Sequence, residues 1–521
     1  MLNLETNAKI KLKDKYIANT LKLHKEINMK RYIIGLDEGT TSARTLIYDI
    51  KENKIINIVN EKFKQYFPKP GWVEHDAGEI WEVLQKTMYT AIKDAKIKYE
   101  DIIGIGITNQ RESVVAWNKK TGESVYPSIV WQCRRTSAYC ASLNTGLKKY
   151  IKKTTGLIVD AYFSASKIKW LLENNAKVKK LLEEDNLCVG TIDSYITYKL
   201  TNGEKFITDT SNASRTMLFN INTLKWDDKL LKKFGIPSKI LPEVVSNGKE
   251  LGKAHTKLGD IPIGSILGDQ QSSLFGQGCF DKGLAKATYG TGAFILSNTG
   301  DTPIHNKKML TTIAWTINDK TTYALEGSIF NAGTVVNWLI DDLQVLESNK
   351  VSSEISNNLS DTDGVYFVPA FTGMGAPYWN SNAKGAIVGL TRGTNKNHII
   401  RAGLESMAYN TYDIIECMQN EESTKIKELR VDGGVSRNEF LMQFQSDILA
   451  KKVIKSNSSE CTVLGTIYMT ALSLGYFKSL SDIKKLIEPS HIYTSKMNHN
   501  VRHELINNWH KAVKQTLGET K

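Results

Sequence analysis

Residues 32–49 read Tyr-Ile-Ile-Gly-Leu-Asp-Glu-Gly-Thr-Thr-Ser-Ala-Arg-Thr-Leu-Ile-Tyr-Asp, and the fold is decided here. Two apolar runs of strand length flank Glu38-Gly39-Thr40-Thr41-Ser42, a segment with the composition of a tight hairpin turn in which glycine supplies positive φ. A third apolar run at 55–59 extends the hairpin into a meander. Further on, 77–96 carries Ile80, Val83, Leu84, Met88 and Ile92 at spacings of three and four, which predicts a helix. Residues 102–108 then predict a buried strand that ends on Asn109-Gln110-Arg111-Glu112.

The same pattern recurs in the second half. Residues 286–298 (KATYGTGAFILSN) again predict strand, glycine-rich turn and strand. Residues 428–431 lead into Asp432-Gly433-Gly434 and a helix from about 438 to 449. Two such halves imply a duplicated α/β unit with a cleft between them, jointed near 276–282 without a low-complexity linker. The expected division is 30–277 and 278–521, preceded by an extension at 1–29. That extension has no apolar core of the secretory kind and carries Glu5, Asp14 and Glu26. It reads as a disordered segment or as a start set upstream of a native Met29.

The 521 residues are 41% hydrophobic and 24% charged, ordinary for globular chains of two or more domains. The net charge of +13 arises from lysines scattered among Asn and Ile, a compositional bias rather than a nucleic-acid footprint. Six widely spaced cysteines without a C-x-x-C pair argue against a zinc ribbon or disulfide framework and for a reducing cytoplasm. No run approaches the ~20 apolar residues of a membrane span, so membrane insertion is not expected.

Five constellations carry chemistry. Asp37 to Ser42 offers turn N–H groups and hydroxyls to a phosphate and a carboxylate to a metal ion, or is a plain hairpin turn. Gly290-Thr291-Gly292 repeats the offer from the other half, and two opposed turns are what a phosphate clamp requires. Asp432-Gly433-Gly434 suits close approach of a flat base or ribose, or simply joins strand to helix. Asp269, after the apolar run 261–267, is placed to take a proton from an attacking hydroxyl, or to cap a helix. Arg111 and Glu112 pair donors with acceptors for a small polyol, and Trp131 and Tyr162 provide an aromatic wall or belong to the core. There is no P-loop, no G-x-G-x-x-G after a strand, no H-E-x-x-H and no G-x-S-x-G.

Together these segments resemble the glycerol-phosphorylating members of the FGGY carbohydrate kinase family, relatives of actin, hexokinase and the heat-shock chaperone ATPases. The phrases that carry the resemblance include PKPGWVEHD (68–76), GITNQRE (106–112), TSNASRTMLFNI (210–221), GDQQSSLFGQ (268–277) and RVDGGVSRNEFLMQFQSDIL (430–449). It implies two ribonuclease H-like domains flanking a catalytic cleft, with ATP and Mg²⁺ as cofactors and glycerol as substrate. In that resemblance Asp269 is the general base, and Arg111, Glu112, Tyr162, Asp269 and Gln270 bind glycerol while Trp131 and Phe294 pack its carbons. Asp37 and Asp269 serve the metal. Thr40, Thr41, Ser42, Arg44 and Thr291 meet phosphates, and Gly333, Asn337, Gly434 and Asn438 line the nucleoside pocket. A dimer or tetramer is implied as well.

Two positions depart from the family pattern. Glu38 stands where Gln is usual, expected to add negative charge beside the phosphates, and Asn337 stands where Gln is common. The loop 251–261 lacks the Gly-rich, Arg-bearing form linked to fructose 1,6-bisphosphate inhibition. It places His255 seven residues before Pro262, where some low-GC Gram-positive members accept phosphate from a phosphotransferase-system carrier; a solvated loop histidine is the simpler alternative. Other FGGY kinases acting on a pentulose, erythritol or dihydroxyacetone remain open, as does an actin-like ATP-driven binding protein.

Overall fold

The computed structural model describes residues 30–419 and 425–518, so the extension at 1–29 and the expectation attached to it lie outside the described residues. The opening hairpin forms as read: β1 (Tyr32–Glu38), β2 (Ser42–Asp49) and β3 (Lys54–Lys62) pair antiparallel. The helix α1 (Ala77–Asp94) follows, and the Asp76 side chain caps it by accepting from the N–H groups of Gly78 and Glu79. Then come β4 (Ile102–Asn109), β5 (Gly252–Thr256) and β6 (Gly259–Gly268). The sheet order is β5-β6-β4-β1-β2-β3, with β4 parallel to both β1 and β6. All of β4 and nearly all of β1 is buried, which is why these strands read as continuous apolar runs, whereas edge strand β3 alternates.

Helix α2 (Asp269–Gly276) leaves β6 directly. The second sheet comprises β7 (Leu284–Tyr289), β8 (Ala293–Gly300), β9 (Leu310–Ile317), β10 (Lys320–Ile329), β11 (Glu428–Asp432), β12 (Lys452–Ser456) and β13 (Pro489–Tyr493). Its order is β9-β10-β8-β7-β11-β12-β13. Strands β7, β8 and β10 form an antiparallel meander, β11 and β12 add parallel on the far side of β7, and β13 closes the edge antiparallel. The first sheet has the same order and the same sequence of parallel and antiparallel pairs; β9 is the only strand in excess. The duplication inferred from the two Gly/Thr turns is therefore one of topology.

Helices α3 (Lys396–Gln419) and α4 (Glu439–Leu449) lie against the second sheet, and α5 (Cys461–Ser473) follows them in the chain. A short 3₁₀ turn at Gly434–Arg437 separates β11 from α4, which starts at Glu439 with Asn438 as its N-cap. The segment 251–261, read as a loop, is the β5–β6 hairpin. An antiparallel sheet is inserted after β4; its central strands Val114–Asn118 and Ser124–Ile129 bracket the approach to Arg111 and Trp131.

Helix α5 belongs to the second half but lies on β1, β4 and β6 of the first sheet. It gets that close because those strands offer glycine: a Cβ on Gly35 would lie 2.4 Å from Val463, and one on Gly106 would lie 2.7 Å from the Thr466 carbonyl. Helices α2 and α5 also touch backbone to backbone. A Cβ on Gly465 would sit 1.8 Å from the Ser272 carbonyl oxygen, and one on Gly276 2.0 Å from that of Cys461. The contact fixes the helix whose first residue is Asp269. Gly465→Ala is therefore expected to destabilise the protein by about 3 kcal/mol, because main chain cannot swing aside as a side chain does. Guanidinium denaturation of the two proteins measures it, and an unchanged midpoint would contradict the contact.

Candidate active site

β4 ends at Asn109, and the chain turns sharply through Glu112, held at φ +63°, before entering the inserted sheet. The turn drives Arg111 and Glu112 inward, each with a side chain only 2% exposed. Nε of Arg111 lies 3.1 Å from Oδ1 of Asp269, whose own side chain is 29% exposed. The Arg111 guanidinium lies 5.9 Å from the Phe294 ring centroid. Asp269 also accepts from the backbone N–H of Gln270 (2.7 Å) and from its carboxamide (3.1 Å). The expected helix cap at Asp269 is not formed: Gly268 holds the N-cap position and Asp269 is the first helical residue.

Tyr162 joins through its ring. It lies 5.5 Å from Trp131 and 5.7 Å from the guanidinium of Arg215, and the Trp131 indole N–H donates to Thr40 Oγ1 (3.0 Å). The loop carrying Tyr162 is held by Lys167, a wholly buried ammonium that donates to the carbonyls of Ala161, Tyr162 and Phe163. All six side chains expected around a polyol, with Asp269, thus meet in one cluster at the end of β4 and β6.

Two residues that no local signal singled out hold this cluster. Glu326, on β10 of the second sheet, accepts from both terminal nitrogens of Arg111 (2.6 and 3.1 Å) and from Arg215 (2.9 Å). Arg215 in turn donates to Glu112 (2.6 Å). Burial opposes ionisation of Glu326, yet the two guanidinium groups overcome it and bring its pKa to about 2. Burial raises Glu112 instead, against the pull of Arg215 and Arg111. The available signals were faint: one glutamate inside the apolar strand YALEGSIF and one arginine in TSNASRTM.

On the phosphate side, the β1–β2 turn is closed by the Gly39 N–H donating to the Ser42 carbonyl (2.9 Å), with Thr41 exposed. The buried Asp37 carboxylate accepts from Arg44 (2.6 Å), whose other end reaches Glu460 of the second half (2.7 Å). Burial raises the Asp37 pKa and Arg44 opposes the shift. Opposite, Gly290 and Thr291 are exposed in the β7–β8 turn, which docks on 332–334 through the N–H groups of Ala332, Gly333 and Thr334. A Cβ on Gly333 would meet the Gly290 carbonyl at 2.6 Å, so Gly333 supports the turn by close approach. Gly434 is exposed, and a Cβ there would meet nothing within 4 Å. Asn337 is exposed at the end of the short helix Gly333–Asn337.

Asn438 is buried, and its side chain caps α4 and donates to Ser352. Glu38 is fully buried and accepts from Gln110 (2.7 Å), and burial raises its pKa well above the ordinary carboxylate value, which disfavours the expected added charge. His255, on edge strand β5, has Nδ1 2.8 Å from Asp260, and its Nε2 lies 3.2 Å from Glu204 without hydrogen-bond geometry. Those carboxylates raise its pKa.

Two glycine turns, one from each half of the chain, and a carboxylate beside an arginine thus lie at the ends of β1, β4, β6 and β7. Family models for the N-terminal and C-terminal domains of the FGGY carbohydrate kinases match residues 32–276 and 285–474. The chain belongs to the FGGY family of carbohydrate kinases. Its FGGY relatives include the glycerol kinase of Alkaliphilus oremlandii, 47% identical over 94% of this chain and 98% of that protein. Another is the glycerol kinase of Clostridium botulinum, 48% identical over 94% and 99%. Among solved structures, Plasmodium falciparum glycerol kinase with ADP superposes with a TM-score of 0.88 at 38% identity, over 93% of this chain and 98% of that one. Lactobacillus acidophilus gluconate kinase gives 0.84 at 25% identity, over 93% and 98%.

Removing the Glu326 charge would strand two buried guanidinium groups. Glu326→Gln is expected to destabilise the chain by about 3 kcal/mol near neutral pH. Because the folded pKa of Glu326 is depressed, its contribution is complete above the unfolded value near 4.5 and is lost as pH falls toward about 2. Denaturant melts should show the gap between parent and variant closing over that window; a constant gap would rule out the charge as its source.

Proposed function

We propose that this FGGY kinase phosphorylates glycerol, transferring the γ-phosphoryl group of ATP to a terminal hydroxyl to yield sn-glycerol 3-phosphate and ADP. The observation that carries the proposal is the contact of Arg111 with Asp269 inside a cluster otherwise made of Glu112, Gln270, Tyr162, Trp131 and Phe294. A three-carbon polyol matches it: hydroxyls for the charged and amide groups, carbons for the rings. The identity with named glycerol kinases along nearly the whole chain supports the same substrate.

Asp269 accepts the proton of the attacking hydroxyl as the phosphoryl group leaves ADP. Arg111, Glu112 and Gln270 fix the polyol so that this hydroxyl points in line, and Trp131, Tyr162 and Phe294 exclude water from its carbons. The opposed turns at Thr40–Ser42 and Thr291, with Arg44, hold the phosphates. The nucleoside lies over Gly434, where the absence of atoms around a would-be Cβ leaves room for it. Among the described residues no three His, Cys, Asp or Glu side chains form a metal cage. That suits Mg²⁺, which is held mainly by phosphates and water with one or two carboxylates, here Asp37 and Asp269. The ion would neutralise phosphate charge.

Five of the six cysteines, Cys133, Cys140, Cys188, Cys279 and Cys461, are buried. Among the described residues no helix is long and apolar enough to cross a membrane.

ADP release measured with MgATP should rise strongly with glycerol and little with pentuloses, erythritol or dihydroxyacetone. A different preferred polyol would overturn the substrate but keep the mechanism. Asp269→Asn should lower the glycerol-dependent rate by a factor on the order of 10²–10⁴ while the chain stays folded. Near-normal turnover would remove Asp269 from the role of base.

A further inference from the structure

Lys286 on β7 is wholly buried, four residues before the exposed Gly290 of the second phosphate turn, and no step above uses it. Its ammonium donates to the carboxamide oxygen of Gln270 (2.5 Å) and to Thr288 Oγ1 (3.0 Å). Both acceptors are neutral. A lysine buried against neutral oxygens costs several kcal/mol relative to an apolar residue, so a structural role alone is a poor reason to keep it. Its countercharge comes from around the cleft: Asp432 on β11 and Asp269 on α2 act most strongly, Glu326 on β10 adds to them, and Arg111 opposes. Burial nonetheless lowers its pKa to about 8. Asp432 is itself buried, with one carboxylate oxygen lacking any hydrogen-bond partner.

The geometry forms a relay across the two halves. An ammonium can only donate, so the Gln270 carboxamide must turn its oxygen to Lys286 and its NH₂ the other way. That NH₂ points at Asp269, donating to Oδ2 at 3.1 Å. Without Lys286 either end of the amide is free to face Asp269. With the oxygen facing it, the two acceptors repel, and Gln270 loses its place.

We propose that Lys286 is a positioning residue for phosphoryl transfer, its ammonium fixing the orientation of the Gln270 carboxamide and through it the hydrogen bonding of Asp269. This rests on the reading of Asp269 as the base that serves glycerol.

The test is a double-mutant cycle read by steady-state kinetics of glycerol-dependent ADP release, with thermal melts. Lys286→Met should lower kcat on the order of 10–100-fold with a smaller change in the glycerol KM. Gln270→Leu should cost a similar factor, and the double variant little more than either alone, because both break one relay. Lys286→Arg keeps the charge in altered geometry. It should lower kcat non-additively with Gln270→Leu, and it carries the test if Lys286→Met does not fold. Additive losses overturn the relay, and so does a folded Lys286→Met variant with the parent's kcat. Normal parent turnover beside additive variants overturns this inference alone. A parent chain without glycerol-dependent turnover overturns the functional reading beneath it too.

Discussion

The site depends on one buried alternation of charge: Glu112, Arg215, Glu326 and Arg111, linked in that order by hydrogen bonds of 2.6–3.1 Å. Two cations face two anions, so the group is neutral overall, and each ion has its desolvation offset by its neighbours. No three of the four would be stable in that place. Three members come from the first half of the chain and Glu326 from the second, so the alternation closes only when β10 lies against the turn after β4. The same guanidinium that binds Glu326 through its terminal nitrogens presents Nε to Asp269. Folding of the two halves and aiming of the candidate base are thus one event.

Glycine sets the second constraint. At the turns the chain needs main chain against main chain: a Cβ on Gly433, at φ +89°, would lie 2.2 Å from the Tyr289 carbonyl oxygen, and one on Gly292 2.4 Å from that of Ile329. Side chains cannot fill these positions, so N–H groups and small hydroxyl residues are left to line the cleft. The charges settle which residues meet, and the glycines settle how near the strands and helices carrying them approach.

The uneven legibility of this chain follows from that division. Strand–turn–strand segments were readable because apolar runs and a Gly/Thr turn are local and strand-length, and β1, β2, β7 and β8 lie where they were read. The edge hairpin 251–261 passed for a loop because Gly252, Gly259 and three lysines or histidines hide a strand pair exposed along one side. Glu326 and Lys286 left no pattern at all: each is one charged residue in an apolar strand, and what singles it out is a partner elsewhere in the chain, 215 residues away for Glu326 and 16 for Lys286. Asn438 lies in a legible glycine motif, and its side chain also answers a local demand, the N–H of Leu441 at the start of α4.

Glu38 follows from the same electrostatics. If it were ionised, the chain would hold three carboxylates, Asp37, Glu38 and Asp269, whose fields act on one another at the end of β1. Arg44 is committed to Asp37 and Glu460, and Arg111 to Glu326 and Asp269, so neither cation is spare. The remaining candidate is His75, linked to the same Gln110 amide at 3.4 Å, but burial lowers its pKa to about 4 and it carries no charge near neutral pH. A buried carboxylate with a single amide donor and no cation costs more than protonating it. Burial therefore favours the protonated form of Glu38, an oxygen isostere of the amide that is usual at its position. Asp37, Arg44 and Glu460 are the charges linked to one another beside the turn.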